Sequence, residues 1–359
     1  MRLLVKINLL GLTKENLQNM VTTIGGKSYN GSQIFKWIHY FGIDDFSKMT
    51  DLSKHLRNIL TQDYEILPPK IISEHIAKDG TTKWLIEISG GSVIETVFIP
   101  KPNRATLCIS SQAGCMLNCS FCHTARQGFS KNLSAAEIVG QLWLANQKVK
   151  KPITNVVMMG MGEPLLNFAA VKSALSIMRD EMGYQLPRRR VTVSTSGVVP
   201  EIYRLAQECD VTLAISLHAP TDELRDILVP INKKYPIANL LAACKDFVIA
   251  TRNSRITIEY VMLKDINDSV AQAKQLSKLL QQVPCKINLI PFNVFLGTNY
   301  QPSGIEAIKI FSQVLIKAGF VVTIRATRGQ DIDAACGQLA GKVQDRTKRS
   351  ERYAAITKN

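Results

Sequence analysis

The chain has 359 residues, 46% of them apolar and 20% charged, which is a globular composition and excludes a disordered or fibrous protein. It contains no apolar run long enough to span a bilayer. The start, MRLLVKINLLGLTKENL, turns charged without a small-residue cleavage site, so a cytoplasmic protein with no membrane partner is expected. The net charge of +15 is uneven: residues 1–100 carry 11 basic and 10 acidic side chains, and the other 259 carry 33 and 19.

Helical periodicity comes first in the chain, over Lys14–Thr22, Ser32–Phe41 and Asp51–Thr61, with Thr13 a candidate N-cap and Gly25–Gly26 a stop. Three strand-like runs follow, Lys70–Ala77, Thr82–Ile88 and Ser92–Ile99, separated by the turn signals Lys78–Asp79–Gly80 and Gly90–Gly91. Pro100, Pro102 and Asn103 then mark a boundary, which makes residues 1–100 an accessory helical plus β-hairpin module.

Beyond it the pattern alternates. Strands are expected at Thr106–Ser110, Asn155–Met159, Val191–Thr195, Val211–Leu217, Ile256–Met262, Lys286–Pro291 and Phe320–Ala326. Amphipathic segments lie between them at Ser134–Gln147, Phe168–Met182, Ala238–Ala250, Val270–Gln282 and Ile305–Lys317. Such βα repeats predict an α/β fold with a parallel sheet, and six or seven units predict a partial (β/α)6 barrel over residues 101–326. A C-terminal loop and basic tail occupy residues 327–359. In barrels the chemistry gathers where strands end.

That rule groups the polar motifs on one rim. After the first strand comes AGCMLNCSFCHTA, in which Cys115, Cys119 and Cys122 form C-x3-C-x2-C. Three thiolates so spaced can each hold one iron of a cubane cluster, leaving the fourth iron open. A cluster of that kind among βα repeats points to reductive cleavage of S-adenosylmethionine. The plainer alternative is a structural zinc site, but zinc prefers four ligands, and there is no second C-x-x-C. Gly160–Pro164 reads either as a glycine-rich turn or, coupled to the cysteines, as a clamp on the cofactor's amino group. Ser194, Ser216, His218 and Asn293 also end strands and can bind carboxylate, ribose or adenine edges; each alone reads equally well as a cap.

Three further residues stand out. Glu95 interrupts the apolar run VIETVFI and is either an edge-strand charge or, if buried, a proton acceptor with a raised pKa. Cys336, in DIDAACGQLAG, is a candidate nucleophile if nearby cationic charge favours its thiolate, and Cys108 points from the first strand toward the same region. Cys209, Cys244 and Cys285 lie in or beside apolar segments, as packing cysteines do. Basic clusters at Lys148/Lys150/Lys151, Arg188/Arg189/Arg190, Arg325/Arg328 and Arg346/Lys348/Arg349/Arg352 make a polyanion such as RNA a candidate partner, although each run alone reads as a solvated face.

Taken together, IETVFIP, SSQAGCMLNCSFC, MGMGEPLLN, STSGVVP, ISLHAP, PFN and DIDAACGQLAG resemble the RlmN-type radical S-adenosylmethionine RNA methyltransferases, which act on C2 of adenine. The resemblance implies a 4Fe-4S cluster on Cys115, Cys119 and Cys122, and a cofactor site formed by Gly162, Glu163, Ser194, Ser216, Leu217, His218 and Asn293. It implies that Cys336 carries the methyl group, that Cys108 is the second thiol of a turnover disulfide, and that Glu95 accepts a proton. It further implies two cofactor molecules per turnover, 23S rRNA and tRNA as substrates, RNA contact by the N-terminal module, and an electron donor such as flavodoxin with its reductase. A monomer is expected. Rival readings are the related Cfr-type C8 methyltransferase, a radical enzyme acting on a protein or small molecule, and a non-catalytic iron–sulfur RNA-binding or redox-sensing protein.

Overall fold

The computed structural model describes residues 6–252 and 255–351; Arg352 of the last basic cluster lies outside the described residues. Three N-terminal helices come first. In α1 (Lys14–Thr23) the Thr13 hydroxyl accepts from the Asn16 amide, as an N-cap should. α2 (Ser28–His39) starts four residues earlier than its pattern predicts, because Gly31 lies against α1, where a Cβ would come within 2.5 Å of Gln18. Tertiary contact overrides the loop-like SYNG there. α3 (Lys54–Asp63) is capped by Ser53 and buries Leu56 and Leu60 one turn apart.

Ten strands form one sheet: β1 (Lys70–Ile76), β2 (Thr82–Glu87), β3 (Val93–Lys101), β4 (Arg104–Cys108), β5 (Asn155–Met158), β6 (Val191–Thr195), β7 (Thr212–Ser216), β8 (Ile256–Met262), β9 (Cys285–Pro291) and β10 (Val322–Ile324). They pair in strict chain order, and the sheet is open between β10 and β1 among the described residues. β1 to β4 are antiparallel and β4 to β10 parallel. Among the described residues one main helix bridges each successive pair of parallel strands: α4 (Ala135–Lys148), α5 (Phe168–Arg179), α6 (Val199–Glu208), α7 (Ile237–Thr251), α8 (Val270–Leu280) and α9 (Ile305–Lys317), with shorter helices at His123–Arg126 and Asp222–Leu228. The chain pattern foresees five of them. It misses α6, whose Val199-Pro200 start reads as a turn although Pro is favoured in a first helical turn.

Hydrogen bonding crosses the boundary read at residue 100. Lys101 pairs with Arg104 around Pro102-Asn103, a two-residue hairpin turn, and Val97 pairs with Cys108. The antiparallel strands thus extend the parallel sheet. That sheet must curl. Strands lie about 4.8 Å apart, so β3 and β10 would be roughly 34 Å apart in a flat sheet. Yet Ile99 of β3 and Ile324 of β10 line one cavity. This is the partial barrel that the βα count predicts.

Candidate active site

The cysteine segment is held at both ends by a small ladder, Gln112–Gly114 against Phe129–Asn132. Gly114 has a φ of 76°, and a Cβ there would collide with the Gly128 carbonyl, which accepts from the Cys115 amide at 2.8 Å. Only glycine permits that approach. Cys115 and Cys119 are buried and Cys122 half-buried at the start of the short helix His123–Arg126.

The three thiols share one cavity with Gly162, Glu163, Ser194, Ser216, His218 and Cys336. Strand ends β5, β6 and β7 supply the first five of these partners, as the rim argument requires. Two residues of the expected cofactor set stand apart. Leu217 is fully buried in the core, and Asn293 lines a neighbouring cavity, where its amide donates to the Cys336 carbonyl at 3.2 Å.

Burial dominates the electrostatics. Desolvation pushes Glu163 up to about 7, against hydrogen bonds to its carboxylate from the Ser196 amide at 2.8 Å and the Leu165 amide at 3.1 Å. His218 has a φ of 61°; its Nδ1 accepts from the Val261 amide at 3.0 Å, which leaves the proton on Nε2. Burial lowers its pKa to about 3, so the ring is neutral. Gly162 has a φ of 100°, and a Cβ would come within 2.5 Å of Gln112, whose side chain accepts from the Glu163 amide.

Sequence reasoning missed the cation that ties this rim together. Arg225 is fully buried and donates to the carbonyls of Ser196, Ser216 and Leu217 and to Asn232. It fastens the ends of β6 and β7, and burial lowers its pKa to about 10. A second anchor is Arg349, which donates to the Met116, Leu117 and Ala125 carbonyls around the cysteines. Its run reads as a basic tail, and nothing in the pattern signals these contacts.

The C-terminal loop is stitched across the site. The His123 amide donates to Gly337, the Thr124 hydroxyl to Leu339, and the Val93 amide to Lys342. Cys336 therefore lies beside the triplet. Burial raises its pKa, opposed by the Arg325 guanidinium, which also favours the thiolate of Cys108. Cys108 is buried at the end of β4, and desolvation pushes its thiol up to about 12.

Glu95 is 3% exposed but is not on the cavity wall. It pairs with Lys83 at 3.3 Å and accepts from the Ala340 amide at 3.1 Å, so it grips the Cys336 loop. Burial raises its pKa and Lys83 opposes the rise.

The donor set fits an iron–sulfur cluster. Among the described residues no three His, Cys, Asp or Glu side chains converge on a point suited to a single metal ion. Thiolates that each hold a different iron of a cubane need no such convergence. The eight cysteines are all free thiols, so the Cys108–Cys336 disulfide expected from the resemblance is not present in this structure. Among the described residues no helix is long and apolar enough to cross a membrane.

A curled parallel sheet with three clustered thiols and a glycine-glutamate turn at its strand ends defines the class of radical S-adenosylmethionine enzymes. Residues 109–276 match the family described as the radical SAM superfamily, and residues 7–66 match the ribosomal RNA large subunit methyltransferase N-terminal domain. The chain is 55% identical over 359 residues to a dual-specificity RNA methyltransferase RlmN of Pseudomonas putida strain W619, covering 98% of this chain and 94% of that one. A protein of the same description from Pseudomonas fluorescens SBW25 is 54% identical over 360 residues, with the same coverage. A crystal structure of a radical SAM methyltransferase from Sphaerobacter thermophilus is 42% identical, with a TM-score of 0.88 over 93% of this chain and 99% of that one. The chain belongs to the RlmN family of radical SAM RNA methyltransferases.

Proposed function

We propose that this protein methylates C2 of adenine in 23S rRNA and tRNA, with Cys336 carrying the methyl group between cofactor and base. The observation that carries this reading is the single cavity shared by Cys336 and the three cluster thiols, with Arg325 acting on both Cys336 and Cys108. An inert loop cysteine has no need of that setting. The match over 98% of this chain to relatives named dual-specificity RNA methyltransferases, with an N-terminal domain described by ribosomal RNA, supports more than one RNA class as substrate.

Cys115, Cys119 and Cys122 would hold the cluster. Gly162, Glu163, Ser194, Ser216 and His218 would hold S-adenosylmethionine, Glu163 by pairing with its ammonium group, while Leu217 backs the site and Asn293 steadies the Cys336 loop. Bound there, the cofactor supplies the methyl group and, with an electron from the reduced cluster, the hydrogen-abstracting radical. Adenine C2 is electron-poor, so the protein must deliver carbon as a radical rather than as an electrophile.

Arg325 stabilises the Cys336 thiolate that takes the methyl group. After hydrogen abstraction the methylene carbon on Cys336 adds to C2, and the adduct loses its C2 proton and one electron, which the oxidised cluster held by Cys115, Cys119 and Cys122 would take back. The proton goes to Glu95, whose burial raises its pKa, or to Cys108. Cys108, as the thiolate or giving up its proton as the methylene carbon takes one, then attacks the Cys336 sulfur. The carbon–sulfur bond breaks with its electron pair moving to the adenine-stabilised methylene group, which takes a proton. A Cys108–Cys336 disulfide remains for a thiol reductant. Residues 1–100 serve RNA contact, residues 101–326 the chemistry, and residues 327–359 bring Cys336 to it. The protein would act as a monomer fed by a flavodoxin-type donor, and eight cysteines free of structural disulfides suit a reducing cytoplasm.

The test is anaerobic incubation of reconstituted protein with methyl-labelled cofactor and unmodified rRNA or tRNA, followed by nucleoside identification. 2-Methyladenosine is expected, and the Cys108→Ala variant should accumulate a covalent protein–RNA adduct on a denaturing gel. The C8-methylated product would assign the Cfr-type reaction instead, and unlabelled RNA would refute the proposal.

A further inference from the structure

The concave face of the sheet is unusual inside. Thr106 of β4, Thr192 of β6, Thr257 of β8, Asn288 of β9 and Thr323 of β10 line one cavity of about 400 Å³. In closed barrels such positions carry bulky branched residues and the interior is solid. Here the strands set these small polar groups among Val157, Met159 and Ile290, and the space stays open. Its volume falls in the range of about 300–1,000 Å³ typical of small-ligand pockets, so it suits one nucleotide and not a duplex. Hydroxyl and amide side chains offer donors and acceptors for ribose and base edges.

The inner end of this cavity is Cys336, which together with Arg325 and Glu259 also lines the cysteine-triplet cavity. The outer end is cationic. Lys101, Arg104, Lys286 and Arg328 line it, and Arg190 is near enough to Arg104 to disfavour its charge. Of these five, only Arg328 has an ion-pair partner among the described residues, Asp79 at 3.5 Å. Arg104 bonds through its side chain to the Thr106 hydroxyl at 3.0 Å. Lys101, Arg104, Arg190 and Lys286, with no ion-pair partner among the described residues, leave positive charge uncompensated there, and a polyanion relieves the repulsion.

Position completes the argument. Arg104 opens β4, Arg190 immediately precedes β6, and Lys286 is the second residue of β9. They mark the N-terminal ends of the parallel strands, opposite the rim where the cysteines stand. Resting on the RNA reading above, we propose that the target nucleotide reaches Cys336 through this threonine-lined cavity, from the N-terminal ends of the strands. Arg104, Arg190 and Lys286 hold the phosphates flanking it. Cofactor and RNA then approach one thiol from opposite ends, and a base held in folded RNA must flip out to enter.

Filter binding of an unmodified tRNA transcript across a salt series tests the route. Arg104→Glu combined with Lys286→Glu should weaken binding roughly a hundredfold and reduce the salt slope by about 2, one for each lost phosphate contact. Lys274→Glu with Lys278→Glu, on the exposed face of α8, should leave both at wild-type values. Thr257→Leu fills the cavity with apolar volume: at unchanged melting temperature it should bind the transcript within about twofold of wild type but transfer methyl at least about tenfold more slowly. Wild-type affinity and slope in the double reversal, or wild-type transfer by Thr257→Leu, overturns the route. A wild-type chain that binds the transcript but never methylates it refutes the adenine reading instead, and the charge-reversal arm still decides whether RNA lies at this mouth.

Discussion

The two ends of the barrel interior follow opposite rules. At the cysteine rim the functional groups are tied down: Glu163 accepts two amide hydrogens, His218 accepts one, and Arg225 makes four bonds to strand ends and Asn232. At the other end Lys101, Arg104, Arg190 and Lys286 make no ion pair among the described residues, and threonines line an open space. A small cofactor that must sit within a fraction of an ångström of a thiol rewards preorganisation. A polyanion that brings its own charges rewards cations left unpaired and able to adjust.

The sharpest way to break the comparison is at the thiols. Cys119→Ser and Cys336→Ala should both reduce methyl transfer to background, but only Cys119→Ser should also lose the brown absorbance of the reconstituted cluster. Loss of the chromophore in Cys336→Ala would mean that the two functions of the rim are not separable.

Next in size is Arg225→Met. It leaves the Ser196, Ser216 and Leu217 carbonyls buried without a donor and should cost roughly 3 kcal/mol, read in denaturant unfolding. Arg104→Met, at the open end, should change stability by less than about 0.5 kcal/mol. Equal losses would erase the distinction between a fastened rim and a free mouth.

The smallest effect is on pH. His218 stays neutral in the fold, with its pKa lowered to about 3, while the unfolded chain binds a proton near 6.5. Between those values the unfolded state holds more protons, so stability is present above 6.5 and declines as pH falls toward 3. His39, buried in α2 and likewise lowered to about 3, contributes in the same direction. His218→Gln should flatten the acid side of the melting profile, and an unchanged slope would show that this ring carries no buried cost.

Much of this was legible in the chain. β5, β6 and β8 were expected to within a residue, because apolar runs bounded by glycine and polar turns leave little choice. The cysteine triplet declared itself by spacing. What escaped depends on distant partners. Arg225 sits in DELRDIL, a pattern that reads as an exposed turn of helix, and its burial is decided by carbonyls 8 to 29 residues away. Pro102-Asn103 signals a break, but the same residues make a linker or a tight hairpin; the pairing of Lys101 with Arg104 makes it a hairpin. Glu95 was read as buried or edge-exposed. It is buried, and its partner Lys83 on β2 could not be read from alternation alone.

The chemistry proposed for the rim stands or falls with Cys336 as the methyl carrier. Peptide mass spectrometry of protein incubated with methyl-labelled S-adenosylmethionine, first without RNA and then after RNA and reductant are added, tests it directly. Label is expected on Cys336 in the first sample and on adenine in the second. Labelled RNA from protein whose Cys336 never carries label, or full transfer by Cys336→Ala, would contradict it.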